Sequence, residues 1–211
     1  MNTIAVAIID YGVGNLHSVY NACKQFTDRV VITEDPLVIQ SARSIILPGV
    51  GSFEAGMQGL AIRNLTQTII DFAKTGKPVL GICLGAQILL SKGYEFGEWE
   101  GLDLIKGNVV LFPKGQTPRL PHIGWDALHG FNTKEEPLLA SIKEGTDVYF
   151  VHSYILVPED KTNVVATSRY GDVEFAAVIR KGNIWGCQFH PEKSSDAGIR
   201  IIKNFINLTT V

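Results

Sequence analysis

The segment Pro78-Val79-Leu80-Gly81-Ile82-Cys83-Leu84-Gly85-Ala86-Gln87 constrains this chain more than any other. An apolar run of strand length ends in a cysteine with a glycine two residues away on either side, and a helical pattern follows. That order predicts a buried strand, a sharp turn and a helix in immediate succession. Such a turn lifts the cysteine above the edge of a sheet, while small residues at 81 and 85 let the backbone pass closely. The helix beyond it would aim free N–H groups and the positive end of its dipole at the sulfur, favouring the thiolate. A nucleophilic thiol at a strand end is therefore the first expectation.

The remainder of the chain suits a mixed α/β fold with a largely parallel central sheet. At 211 residues with 45% hydrophobic and 19% charged side chains, it can bury a substantial core as one domain over 1–211. Short β-branched runs at 4–9, 30–32 and 44–47 alternate with helical patterns at 16–26 and around Leu65, Ile69 and Phe72, the last stopped by Gly76. A helix is expected over 84–91 after the cysteine. From about Gly101 strands follow one another at 104–112, 149–151, 164–167, 175–180 and 184–189, with Lys181-Gly182-Asn183 as a hairpin turn, so this half reads as antiparallel. A closing helix over 197–208 would turn Ile199, Ile202, Phe205 and Ile206 to the core.

Charge and cysteine usage narrow the function classes. Nineteen basic against 21 acidic residues, with no long run of lysine or arginine, argue against nucleic-acid binding and for proteins and small molecules as partners. Cys23, Cys83 and Cys187 are an odd number without paired spacing, which predicts free thiols in a reducing compartment, hence a cytoplasmic protein. Thr3 to Ile9 is apolar but has no positive region before it, and no run is long enough for a membrane helix. No cluster at ligand spacing suggests a metal, and no cofactor is expected.

A thiolate that performs acyl transfer needs a base, and the base needs an orienting acceptor. Among His17, His122, His129, His152 and His190, the last stands out: Gln188-Phe189-His190-Pro191-Glu192 closes a strand and places a carboxylate two residues on, with a proline fixing the turn. Cys83 as nucleophile, His190 as acid and base, and Glu192 as orienter form a complete triad. Each alone could be a buried cysteine, a surface histidine or a solvated glutamate; the elbow and the His-Pro-Glu turn together favour the triad.

Gly81-Ile82-Cys83-Leu84-Gly85-Ala86-Gln87 and His190-Pro191-Glu192-Lys193-Ser194 resemble the class I, triad-type glutamine amidotransferases. Asp10-Tyr11-Gly12-Val13-Gly14-Asn15-Leu16, Leu47-Pro48-Gly49-Val50-Gly51, Pro121-His122-Ile123-Gly124-Trp125 and Tyr149-Phe150-Val151-His152-Ser153-Tyr154 resemble, within that family, the glutaminase subunits of imidazole glycerol phosphate synthases. The resemblance implies hydrolysis of glutamine and transfer of the ammonia to a TIM-barrel cyclase subunit, in a heterodimer that makes imidazole glycerol phosphate and an aminoimidazole carboxamide ribotide for histidine synthesis. It also implies an oxyanion hole from the Leu84 N–H and a donor at Gly49 and Val50. Because Val50 is β-branched and resists positive φ, the Gly49–Val50 peptide is expected to rest with its N–H turned away until the partner docks; an ordinary strand-to-helix turn is the plain alternative. Gly51, Gln87, Glu95 and the backbone of Ser153 and Tyr154 would cradle the amino-acid end of glutamine, with Glu98 as the alternative acid. Trp125, Tyr149 and Lys193 would face the synthase, or else be core aromatics and a solvated charge.

Three other readings compete. Gly12 and Gly14 could open a dinucleotide fingerprint, but His17 stands where the third glycine belongs, and Asn15 reads better as a helix N-cap. A catalytically dead binding module would have no use for an intact triad. A related amidotransferase that supplies ammonia for surface-sugar amination would carry the same catalytic motifs.

Overall fold

The computed structural model describes residues 4–208; Thr3, the first residue of the N-terminal apolar run, lies outside them, as do both extreme ends of the 1–211 domain. Strands β1 (Val6–Ile9), β2 (Val30–Thr33), β3 (Ser44–Gly49) and β4 (Val79–Cys83) form the parallel half of the main sheet, connected through α1 (Leu16–Lys24), α2 (Pro36–Ser41), α3 (Phe53–Ile62) and α4 (Leu65–Lys74). After α5 (Leu84–Ile88) come β5 (Leu90–Gly93), β6 (Trp99–Glu100) and β7 (Ile105–Leu111). A separate antiparallel pair, β8 (His122–Ala127) and β9 (Asp147–His152), is followed by β10 (Tyr154–Pro158), β11 (Val164–Tyr170), β12 (Val173–Lys181), β13 (Ile184–Cys187) and the closing α6 (Ser195–Asn207). The main sheet runs β2-β1-β3-β4-β13-β12-β10-β7-β5-β6, with β11 beside β12.

Period-2 alternation feeds two cores, one on each face. Val6, Ile8, Ile46, Leu80 and Ile82 point to the side covered by α1 and α6, whereas Ala7, Ile9, Ile45, Leu47 and Val79 point to the side of α2 to α5. Both faces are dry, so these strands read as continuous apolar runs. The junction between the two halves is β13: it joins β12 through the Gly182-Asn183 hairpin, Gly182 having φ +59°, and then lies parallel to β4. That return places the end of β13 beside the end of β4, bringing residue 190 to residue 83.

Several element boundaries differ from the sequence reading. The helix expected over 84–91 ends at Ile88; Leu89 and Leu90 are fully buried, and Leu90 opens a strand paired with Ile105, because the sheet offers that segment a ladder. The strand expected to reach Phe189 ends at Cys187. In α6 the inward residues are Ile201, Ile202, Phe205 and Ile206, with Ile199 only half-buried. Helices α2 and α3 escaped the periodicity argument although both carry start signals: Asp35 accepts from Leu37 N at 2.8 Å ahead of Pro36, and Ser52 accepts from Ala55 N at 3.3 Å. Asn15 caps α1 as expected, accepting from Ser18 N at 3.4 Å. Among the described residues no helix is long and apolar enough to cross a membrane.

Candidate active site

The elbow is tight for a steric reason. A β-carbon on Gly81 would stand 2.5 Å from the Gly85 carbonyl oxygen, and one on Gly85 would stand 1.7 Å from the Leu47 carbonyl oxygen. Between them Cys83 takes φ +52° and ψ −107°, a backbone state that costs a non-glycine residue on the order of 1–3 kcal/mol and is stored where structure over-determines it. Cys83 is 7% exposed, and its sulfur lies 3.8 Å from the Val151 carbonyl oxygen and 3.9 Å from Gln188 Nε2. With only five residues, α5 supplies a weaker dipole than the longer expected helix.

His190 and Glu192 come from the turn after β13. His190 Nδ1 lies 2.8 Å from Glu192 Oε1, and both side chains are 2% exposed. The carboxylate accepts from Nδ1–H, which leaves Nε2 for the sulfur. The turn is pinned by Ser194, whose hydroxyl donates to the His190 carbonyl at 2.6 Å and accepts from Tyr149 N at 2.9 Å. Burial alone would lower the histidine; contact with Cys83 and Glu192 outweighs it and raises the imidazolium to about 10. Nε2 makes no hydrogen bond of ordinary geometry among the described residues, so sulfur and ring are neighbours that a bound substrate can bring into full contact. Of the three free thiols, Cys23 and Cys187 sit elsewhere in the core and burial pushes both up, Cys23 to about 12.

Cys83 and His190 open onto a cavity of about 340 Å³ whose walls include Val50, Gly51, Gln87, Glu95, Ser153 and Tyr154. Every candidate cradle residue therefore meets at one place. Gln87 Nε2 donates to the Tyr154 carbonyl at 3.2 Å. Glu95 Oε2 accepts from Phe53 N at 2.7 Å, and burial raises its carboxyl above the usual range; Glu98 instead pairs with Lys92 on the surface. A larger cavity of about 610 Å³ beside Arg43, Lys77 and Arg180 is lined by no cysteine or histidine among the described residues.

Gly49 ends β3 directly opposite Cys83, Leu84 opens α5, and Gly51 rather than Val50 takes the left-handed backbone at φ +112°. Val50 is 42% exposed, at the mouth of the cavity. Trp125 lies edge-on to Tyr149 with ring centroids 5.8 Å apart, and Lys193 Nζ is 6.0 Å from the Tyr149 ring. These three share one surface beside the cavity; Trp125 is half exposed and no core aromatic.

Three residues at the site were not singled out from the sequence. Gln188 approaches the sulfur from the position just after β13, and alternation from His190 already placed it on the same side. His152 lines the cavity, inside a motif whose neighbours drew the attention. Tyr11 is fully buried, and its hydroxyl, without a partner among the described residues, stands 2.6 Å from where a β-carbon on Gly49 would be, so glycine is required there.

Comparison with known proteins bears on what this arrangement does. The family model described as glutamine amidotransferase class-I matches residues 7–208. Imidazole glycerol phosphate synthase subunit HisH 1 of Legionella pneumophila (strain Paris) is 45% identical over 211 residues, covering 97% of this chain and 99% of that protein. Subunit HisH of Geobacter sulfurreducens is 43% identical, covering 95% and 97%. A solved glutamine amidotransferase superposes with a TM-score of 0.75 at 18% identity, covering 98% of this chain and 100% of that one. A chain of PurLQS from Thermotoga maritima does so with a TM-score of 0.71 at 23% identity, covering 96% and 97%, and shares the fold.

Proposed function

Because the chain belongs to the class-I glutamine amidotransferase family, we propose that, as one amidotransferase domain, it hydrolyses glutamine to glutamate and ammonia for an imidazole glycerol phosphate synthase in cytoplasmic histidine synthesis. The observation that carries the reading is the buried Cys83–His190–Glu192 alignment at the floor of a cavity sized for an amino acid. With the proton of the pair held on His190, Cys83 attacks the side-chain amide carbon as the thiolate, and the C–N bond breaks as His190 passes that proton to the departing ammonia. Water, deprotonated by His190, then cleaves the glutamyl thioester, releasing glutamate and restoring the Cys83 sulfur beside a protonated His190. Glu192 holds the ring so that Nε2 faces the sulfur.

Negative charge on the tetrahedral oxygen falls to the Leu84 N–H and a donor from the Gly49–Val50 peptide, which becomes available on docking. Gly49 before that peptide and Gly51 after Val50 leave it room to rotate. Gly51, Gln87, Glu95 and the Ser153–Tyr154 backbone hold the amino-acid end. Trp125, Tyr149 and Lys193 receive the TIM-barrel cyclase subunit, so ammonia leaves into the partner instead of into water. The names of the relatives favour this pathway over amination of surface sugars.

The test adds glutamine to the purified chain with and without the cyclase subunit, then repeats with Cys83→Ala. Glutamate release requires partner and Cys83, while the partner's reaction on ammonium salts survives the substitution. A free chain as active as the complex defeats the gating, and residual glutamate release with Cys83→Ala defeats the assignment of the nucleophile.

A further inference from the structure

A second buried polar group lies behind the cavity, and no step of the hydrolysis uses it. His122 and His152 occupy paired positions of β8 and β9, with His122 Nδ1 3.1 Å from His152 Nε2. At the inner end His152 Nδ1 is 2.8 Å from the Tyr154 carbonyl oxygen; at the outer end His122 Nε2 is 2.6 Å from Asp126 Oδ2. The His122 ring is fully buried, stacked on Tyr170 at 4.0 Å and on Phe150 at 5.1 Å. Asp126 is 35% exposed and adjoins Trp125. The titratable groups facing His122 are Asp126 from β8, His152 from β9 and Tyr170 from β11.

The acceptors along this chain fix where its protons lie. A carbonyl oxygen only accepts, so His152 Nδ1 carries a hydrogen. In a neutral imidazole the other nitrogen then accepts, so His122 Nδ1 carries a hydrogen too. Were His122 also neutral, its Nε2 lone pair would face a carboxylate at 2.6 Å, two acceptors in contact. Three contacts need three protons, and two neutral rings supply two. The third is shared by His122 and Asp126, in keeping with the short distance of a charge-assisted bond.

His152 is the neutral member of the chain. Burial drives His152 down to about 3 despite its bond to the Tyr154 carbonyl, and the charges of His122 and His190 act in the same direction as burial. Burial lowers His122 overall, with Asp126 pulling against it, so the third proton is held by the short contact between the two and not by an isolated imidazolium. The Tyr154 carbonyl that receives His152 also receives Gln87. Two donors thus fix the peptide at the rim of the cavity.

We propose that Asp126 and His122 are positioning residues for glutamine: holding one shared proton, they fix His152 as its Nδ1–H tautomer, and His152 clamps the Tyr154 peptide against which the amino-acid end rests. This rests on the reading of the cavity as glutamine's site. His122→Phe keeps the stacked ring but removes the donor to His152. In the complex with the cyclase it raises KM for glutamine about tenfold and leaves kcat within about twofold. Asp126→Asn offers an amide N–H to the His122 lone pair, so the chain closes with two ring protons and KM stays within about twofold of wild type.

The second measurement is nitrogen-15 spectroscopy of the full-length chain between pH 5 and 8, which does not depend on His122→Phe folding. His152 appears as the Nδ1–H tautomer in both wild type and Asp126→Asn. A strongly deshielded proton between residues 122 and 126 is present on the acid side in wild type and absent in Asp126→Asn. His152 protonated at Nε2, or a wild-type chain with only two protons throughout, overturns the relay, as does an unchanged KM in a folded His122→Phe complex. A wild-type complex that does not hydrolyse glutamine overturns the reading of the cavity instead.

Discussion

His190 and His152 line the same cavity, both nearly inaccessible to water, yet the fold sets them at opposite ends of the histidine range, about 10 against about 3. Both lose hydration, which disfavours the imidazolium. The difference lies in the partners. His190 bonds a fully buried carboxylate and touches a sulfur, two groups that carry or can carry negative charge. His152 bonds a neutral carbonyl and a second imidazole. A buried histidine is thus charged or neutral according to the charge state of what its two nitrogens meet, and one pocket can hold a proton donor beside a permanently neutral clamp.

The strongest way to break the contrast is Glu192→Gln, which removes the anion while keeping the shape. Turnover with glutamine in the complex falls about 10²–10⁴-fold, and His190 drops out of its raised range; retained turnover would mean that Cys83 alone arms the ring.

The two rings also make opposite demands on stability. His190, raised from 6.5 to about 10, contributes fully below 6.5, and that contribution is lost as pH rises through about 10. His152, lowered from 6.5 to about 3, contributes above 6.5, and that contribution is lost as pH falls toward 3. Thermal unfolding across pH therefore shows Glu192→Gln flattening only the alkaline limb and His152→Phe only the acid limb, each by at least about 3 °C in Tm. Flattening of the same limb by both would erase the distinction.

The smallest effect is expected from Lys193→Ala. Its ammonium lies over Tyr149 at the exposed rim, where screening is strong, so Tm moves by less than about 1 °C while coupling to the partner weakens.

The meeting of Cys83, His190 and Glu192 was legible because its signals are local. The glycines at 81 and 85 announce a turn, and Pro191 between His190 and Glu192 fixes the second turn. The parallel half of the sheet was legible for the same reason, since 4–9, 44–47 and 79–83 are apolar on both faces. The segment after Ile88 was not, because a buried Leu-Leu pair fits a helix or a strand and only the pairing with β7 decides. The Asp126–His122–His152 chain was invisible for a different reason. Its members lie 26 residues apart at the nearest strand-to-strand spacing, from 126 to 152, and nothing local in either motif distinguishes a relay from an aromatic core.

The contact between residue 85 and the Leu47 carbonyl sets what a docking partner can move. With no room there for even a methyl group, the start of α5 and the end of β3 behave as one stiff body, and the cysteine cannot travel relative to that strand without unpacking the sheet. Mechanical input from outside is left with the few single bonds beyond it, between Gly49 and Gly51. In the mechanism proposed above, the site is hinged at the donor and rigid at the nucleophile, so docking of the partner alters the stabilisation of charge and leaves the aim of the attack unchanged.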